Sequence, residues 1–470
     1  MKKIILSIGI LVSAISFTSC EKDLEIKPFD SVVTDDNTYV TKDEYDQGIR
    51  GIYSNMRYEG YYGGTMYIIP DVTSDNLIIN QNGRQSERTP YSWLYNSNNT
   101  PGPYYTCYSA INRANTMLEA LENFNGLEDD KNNFKGEALA LRAMSHFDIL
   151  RYYAKIPTQS ADANQSIGIA YVTEVDALQT PARINVAESY ALVIQDLKDA
   201  LTMIAANNGV GRFNTKSVNA LLSRVYLYAG QYQNAIDAAN EVNDVLATGT
   251  AFQGIWNDTS ETEVLLKFVI TAEDNIAIGT SYSQSSSAGI RSEYVFDYDF
   301  FLEFLDSDIR KASYLIEGDW AGSPYNNVRK WYGKDNNSNG EVDAKAIRYG
   351  EVVLNKAEAY FFIGNETEAL NSLNELRVAR GLAEFSGSGD LLLNEIKLQR
   401  RLDLAFEGHR FFDIKRWGES IIRSNKGDKA DGTGTPALVR ELPAGDHRFQ
   451  LPISLGAIQA NPNLEQNPGY

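Results

Sequence analysis

The sequence predicts a mainly α protein, with tetratricopeptide-like helix pairs forming a helical scaffold and a loop-rich half carrying a few short strands. Three observations predict it. Apolar residues recur at helical spacing through most of the chain. A helix–turn–helix signature repeats: Tyr226, Gly230 and Ala235 in RVYLYAGQYQNAIDAANEV return as Tyr360, Gly364 and Ala369 in AEAYFFIGNETEALNSLNEL, at identical spacings. A tyrosine closing one helix, a glycine at the turn and an alanine where the next helix crosses let paired helices approach closely. Finally, two stretches, near 58–104 and 250–345, lose the helical period and are rich in aromatic residues, Gly, Asn and Ser.

Taken in order, the chain opens on Lys2 and Lys3, then a mostly apolar run, Ile4–Phe17. That run is shorter than the roughly 20 residues a membrane-spanning helix needs, and it reads as a signal. Phe17-Thr18-Ser19-Cys20 resembles a bacterial lipobox. Residues 1–19 are then a lipoprotein signal peptide, Cys20 the lipidated residue, and 20–40 a polar, lipid-anchored tether. Ordinary secretion with cleavage near Ser19 is the other reading. Residues 41–470 form a single domain. Its first helix covers 41–57, where Thr41 and Glu44 make a capping box. Residues 58–104, with many Tyr and Trp93 among Gly, Asn, Ser and Pro, read as a long loop. Helices follow at 105–122, 131–154, 186–206, 215–229 and 232–246. VLLKFVI (264–270) reads as a short strand, 293–305 as a helix and 318–345 as loop. Helices resume at 347–363, 366–380 and 391–407.

Composition narrows the function classes. The net charge of −19 lacks the basic footprint that a nucleic-acid partner requires. It also disfavours unaided adsorption to anionic lipid. With only Cys20 and Cys107, neither a disulfide framework nor an all-cysteine zinc site is available. Cys107 reads as a small buried apolar residue. The chain has no HExxH, GxSxG, Walker or GxGxxG motif, and its three histidines, His146, His409 and His447, are scattered.

The densest mixture of charge and aromatic rings is IKLQRRLDLAFEGHRFFDIKRWG (396–418). Leu398, Leu402, Ala405 and Phe406 share one helix face, and Gly408 supplies a left-handed stop. Arg400–Asp403, Glu407–Arg410 and Arg410–Asp413 are three apart, within reach on a helix. Asp403, Glu407 and His409 could form an active site. The alternative is a structural junction of ion pairs under aromatic rings. Neighbouring arginines favour the junction, because they depress a carboxylate's pKa and so suit a permanent ion pair better than a general acid.

Several blocks together resemble the SusD/RagB family of outer-membrane lipoproteins. IRYGEVVLNKAEAYFFIG (347–364), with Arg348, Glu351, Leu354, Ala357 and Glu358, resembles one family block. QRRLDLAFEGHRFFDIKRWG (399–418) resembles another, with Gln399 and Asp403 standing where the family often has Glu. NPNLEQNPGY (461–470) matches the family ending, and LRYYAKIP (150–157) and the lipobox also fit. The resemblance implies an α-rich, lipid-anchored, cell-surface protein of the outer membrane. Such a protein captures an oligosaccharide, delivers it to a SusC-like TonB-dependent transporter, and has no enzymatic activity.

Sugar capture needs flat rings against C–H faces and planar polar groups for the hydroxyls. In SWLYNSN (92–98), Trp93 and Tyr95 are expected as platforms and Asn96 and Asn98 as hydrogen-bond partners. Asp75, Asn76 and Arg84 lie in the preceding loop, and Tyr282, Trp320 and Tyr325 are expected to close the site. No cofactor is expected, save for a calcium ion. Asp335-x-Asn337-x-Asn339-Gly340 matches the start of an EF-hand loop, but Ala346 replaces its last ligand, leaving Asp343 as the substitute. The competing functions are a glycoside hydrolase, and a protein-binding scaffold or peptide-capture lipoprotein.

Overall fold

The first helix starts where the sequence places its signal. α1 (Lys42–Met56) follows Thr41, whose hydroxyl accepts from the Glu44 N–H while the Thr41 N–H donates to the Glu44 carboxylate at 2.7 Å. Its Tyr45, Ile49, Ile52, Tyr53 and Met56 are buried. The computed structural model describes residues 39–470. Within them Thr41–Tyr470 is one compact unit. The predicted signal peptide, Cys20 and the tether up to residue 38 lie outside the described residues. The protein is mainly α, as the repeat predicts.

The remaining helices are α2 (Thr65–Val72), α3 (Arg88–Tyr91), α4 (Tyr104–Ala120), α5 (Glu128–Tyr153), α6 (Val186–Leu201), α7 (Thr215–Tyr228), α8 (Tyr232–Asn240) and α9 (Gly249–Ile255). After them come α10 (Tyr298–Leu302), α11 (Ile309–Tyr314), α12 (Tyr349–Phe362), α13 (Glu366–Ala379), α14 (Asp390–Asp403), α15 (Arg410–Trp417) and α16 (Leu455–Ala460). α5 packs against both α4 and α6. From Gly136 onward almost all of it is buried, so its polar side chains need partners. Glu137 accepts from the Tyr53 hydroxyl at 2.8 Å and pairs with Arg212 at 2.7 Å. Arg142 grips both oxygens of Asp196 at 2.8 and 2.7 Å.

The repeat is real in three dimensions. Gly230 and Gly364 have φ of +70° and +81°. The Gln231 N–H donates to the Tyr226 carbonyl and the Asn365 N–H to the Tyr360 carbonyl, both at 2.9 Å. Each is the long bond of a Schellman turn. Ala235 and Ala369 are fully buried. Leu227, Ala235, Ile236 and Ala359 share one cluster, which stacks the first helix pair on the second.

The aromatic stretches differ from expectation. Residues 58–104 are not one loop. TMYIIPDV forms α2, and Leu77–Ile79 form strand β1. α2 shows no amphipathic period because Met66–Val72 are all buried. The remaining strands are β2 (Val264–Phe268), β3 (Ser283–Ser286), β4 (Gly289–Ser292), β5 (Tyr294–Phe296), β6 (Leu315–Trp320), β7 (Ser323–Val328), β8 (Ala344–Arg348), β9 (Ile421–Ile422) and β10 (Glu441–Leu442). The helix expected at 293–305 is therefore β5 followed by the short α10. The loop expected at 318–345 contains the β6–β7 hairpin.

β1, β5, β7 and β6 form an antiparallel sheet in that order. The β6–β7 turn places Ala321 and Gly322 at φ of +49° and +77°, the left-handed pair that a tight hairpin demands. The β3–β4 hairpin lies over β6. At Gly289 a Cβ would stand 2.0 Å from the Asp319 carbonyl, so only glycine permits this approach.

Candidate functional site

Residues 396–418 do not continue a single helix. α14 stops at Asp403, Phe406 sits at φ +63° and Gly408 at +77°. A Cβ on Gly408 would fall 1.9 Å from the Met66 carbonyl. None of the three expected i,i+3 pairs forms: the break separates Glu407 from Arg410, while Arg400–Asp403 and Arg410–Asp413, each within one helix, give way to partners on other elements. Asp403 pairs instead with Arg380 at 2.6 Å and Arg348 at 3.1 Å. Glu407 takes Arg348 and Lys330, each at 2.6 Å. Arg400 takes Asp413 at 2.8 Å, and Arg410 takes Asp75 at 2.7 Å. Glu263 completes the cluster with Arg348 and, at 2.8 Å, Arg380. A Cβ at Gly350 would lie 2.7–2.8 Å from Asp403, Glu263 and Arg380, so the helix above carries no side chain there. Lys415 has no carboxylate partner. Its Nζ donates to the Arg151 and Ala154 carbonyls at 2.7 Å each and closes the end of α5.

This chemistry is that of a saturated junction. Burial alone would raise the Asp403 pKa, but Arg380 and Arg348 hold it far below the usual carboxylate range. Burial and the surrounding arginines push His409 well below its ordinary value, so it stays neutral. Neither group is poised for proton transfer.

Most of the expected sugar ligands are likewise committed. Trp93 is 1% exposed; its N–H donates to the Thr73 carbonyl at 2.9 Å and Arg423 lies 4.0 Å from its ring centroid. Tyr95 is buried and donates to the Arg448 carbonyl. Asp75 is chelated by Arg410 at 2.7 and 2.9 Å. Asn76 is wholly buried between Asp71 and Arg401. Tyr282 is buried and donates to the Tyr67 carbonyl at 2.8 Å. None of these rings or planar groups offers a free face. Asn96 and Asn98 are exposed, but they form a local turn in which the Asn98 N–H donates to Asn96 Oδ1 at 2.9 Å.

The proposed calcium ligands do not converge on a cation either. Asp335, Asn337 and Asn339 are exposed, and Asn339 Oδ1 accepts from the Glu341 N–H at 3.1 Å. Asp343 is held by Lys334 at 2.8 Å and Lys267 at 3.0 Å. These lysines and the Ile270 N–H outweigh burial and lower its pKa. Among the described residues no cluster of three His, Cys, Asp or Glu side chains could hold a metal ion.

Three expected residues do come together, around the four-stranded sheet. The Trp320 ring is half-buried against Ile78, Val295 and Tyr325. Arg291 reaches it from β4, its guanidinium 5.9 Å from the ring centroid. The Tyr325 hydroxyl accepts from Asn82 Nδ2 at 2.7 Å, and the half-exposed Arg84 pairs with Glu293. Burial and the neighbouring Glu293 raise the Glu87 pKa. An indole flanked by guanidinium, amide and carboxylate groups suits a polyhydroxylated ligand. Asn82, Arg291 and Glu293 are additions to the sequence reading. The signal for them was weak: a polar residue beside a hairpin glycine, in NQNGR and AGIRSE.

Comparison with known proteins decides the lineage. Residues 318–470 match the family model described as "SusD family", and residues 24–227 match one described as "Starch-binding associating with outer membrane". A SusD-like protein, P38, from Formosa agariphila is 24% identical, over 100% of this chain and 99% of its own. A SusD superfamily structure from Bacteroides vulgatus is 25% identical at TM-score 0.82, covering 92% of this chain and 100% of that one. Another, from Bacteroides thetaiotaomicron, is 26% identical at TM-score 0.81, covering 91% and 100%.

The chain belongs to the SusD/RagB family.

The blocks that signal SusD/RagB membership are thereby given physical content. Glu351 binds Arg224 at 2.6 Å, and Glu358 binds Arg416 at 2.5 and 2.6 Å. Gln399, where the family often has Glu, accepts from Arg310 at 2.7 Å. In the terminal block, Asn467 donates to the Tyr153 and Leu451 carbonyls at 2.8 and 2.7 Å and accepts from Arg183 at 2.9 Å. The signature residues of this SusD/RagB chain thus hold the scaffold, while the Trp320 face is built from residues outside those blocks.

Proposed function

We propose that the protein is a non-catalytic, lipid-anchored glycan receptor of the outer-membrane surface. It captures an oligosaccharide on the Trp320 face and delivers it to a SusC-like TonB-dependent transporter. The observation that carries this reading is the Trp320 ring, half-exposed with Arg291 over it and packed beside Tyr325, whose hydroxyl accepts from Asn82. Stacking on the indole supplies apolar contact, and the planar groups orient hydroxyls. The family model described as starch-binding and associating with the outer membrane supports both the ligand class and the location. Lipidation at Cys20 follows from the lipobox.

The test is calorimetry of the mature chain against a panel of storage and cell-wall polysaccharides, with reducing ends assayed in parallel. Binding of at least one polysaccharide without release of reducing ends is expected. Release of reducing ends would convert the reading to a glycoside hydrolase. Absence of any binding, with capture of peptides instead, would convert it to a peptide-capture lipoprotein.

A further inference from the structure

A cavity of about 200 Å3 opens where α9 and α11 meet the segment leaving β7. Trp256, Tyr332, Arg329, Gln253, Asn257 and Asn337 lie in its wall, and no Asp or Glu lines it. Two features of this wall are unspent. Trp256 is 4% exposed, yet among the described residues its indole N–H has no hydrogen-bond partner. A buried donor in that state is costly unless something supplies an acceptor. Arg329 is exposed and makes only a 3.4 Å contact to the Ala312 carbonyl, with no ion pair among the described residues. Nearby Arg310, Arg348 and Arg380 are all matched to carboxylates. A shallower recess adjoins through Arg329, Ala312 and Ile316. Its Asp306 and Asp308 are taken by Lys311 and Arg310, and its Glu317 makes no ion pair with Arg329 among the described residues.

An unpaired guanidinium and an unpaired indole N–H both call for acceptor oxygens. Tyr332, half-buried in the same wall, adds a ring, and Gln253 adds an amide. We infer that this cavity is a second sugar subsite, which takes a single ring bearing a carboxylate. Arg329 holds the carboxylate, Trp256 donates to a ring or hydroxyl oxygen, and Tyr332 contacts the C–H face. The inference rests on the reading of the chain as a glycan binder, but it uses none of the residues of the Trp320 face. The two places are joined by β6: Ile316 in the cavity and Trp320 on the face are four residues apart, about 13 Å along a strand.

The test uses the full mature chain with 15N-labelled indoles. Its five tryptophans give five resolvable signals, and Trp256→Phe assigns the one of interest. Glucuronate is expected to shift the Trp256 signal, with glucose at least tenfold weaker. Arg329→Gln, at an exposed position, is expected to weaken glucuronate at least tenfold, while Trp320→Ala leaves it unchanged. The inference is overturned if glucuronate leaves the Trp256 signal in place, if glucose does as well, or if Arg329→Gln has no effect. Uptake of glucuronate at Trp256 by a chain that takes no polysaccharide would sink the Trp320 reading and leave this one standing.

Discussion

The junction around Asp403 and the face around Trp320 use the same residue types to opposite ends. Both combine arginines, carboxylates and rings. In the junction the charges around Asp403 are buried and cross-matched: Arg348 alone meets Glu407, Asp403 and Glu263. On the face, Arg84 and Trp320 keep part of their surface in water, and Arg291 stands 5.9 Å over the indole ring. The difference teaches that charge density in this chain marks stability, and that incomplete satisfaction marks the place where a ligand can add contacts.

The comparison is broken most severely by removing one partner from the junction. Glu407→Ala leaves Lys330 without its carboxylate, and Arg348→Ala takes one partner each from Glu407, Asp403 and Glu263 and leaves the cluster one positive charge short. Each is expected to cost about 3–5 kcal/mol, because an unpaired buried charge remains. Denaturant melts check this, and wild-type stability in either variant would contradict the structural role of the cluster. Gly350→Ala should cost less, about 1–3 kcal/mol, by pushing a methyl into Asp403, Glu263 and Arg380.

A third effect concerns pH. Burial raises the Asp71 pKa to about 7, although it accepts from Asn76, Gly408 and Phe406. The folded state therefore binds this proton more tightly than the unfolded chain does. Asp71 destabilises the fold fully above about pH 7, and the penalty fades as pH falls towards the unfolded value near 4. Asp403 acts with the opposite sign, since its depressed pKa contributes stability that is lost only in stronger acid. Between about pH 7 and pH 4 Asp71 therefore adds stability as pH falls, against the buried neutral His146 and His409, which the unfolded chain protonates below about pH 6.5. Asp71→Asn should remove this contribution, so that melting temperature falls more steeply from pH 7 to pH 5 than in wild type, and an unchanged profile would show that another group controls it.

The helical half was legible in the sequence because its signals are local. Gly230 and Gly364 announce their turns, and Thr41 with Glu44 announces a helix start. The junction was legible as a kind of site, but its pairing was not. The left-handed Phe406 that breaks the helix is invisible to spacing arguments, and so are the distant Arg348, Arg380 and Asp75 that take Asp403 and Arg410. The aromatic regions misled for a different reason. Tyrosine count suggests an exposed, ring-lined surface, yet Tyr95 and Tyr282 bury their rings and satisfy their hydroxyls on distant carbonyls. Composition does not reveal which rings find such partners. Trp320 was legible as a candidate, but Arg291 was not, because β4 reaches it only through the close approach at Gly289.

The smallest expected effect on stability belongs to Trp320→Ala, at about 1 kcal/mol or less, since the half-exposed ring packs on one side only. That same substitution tests the division of labour most directly. The measurement is a polysaccharide-binding isotherm of Trp320→Ala beside wild type, at matched melting temperature. At least a tenfold loss of affinity with the fold intact is predicted. Unchanged affinity would contradict the assignment of function to this face.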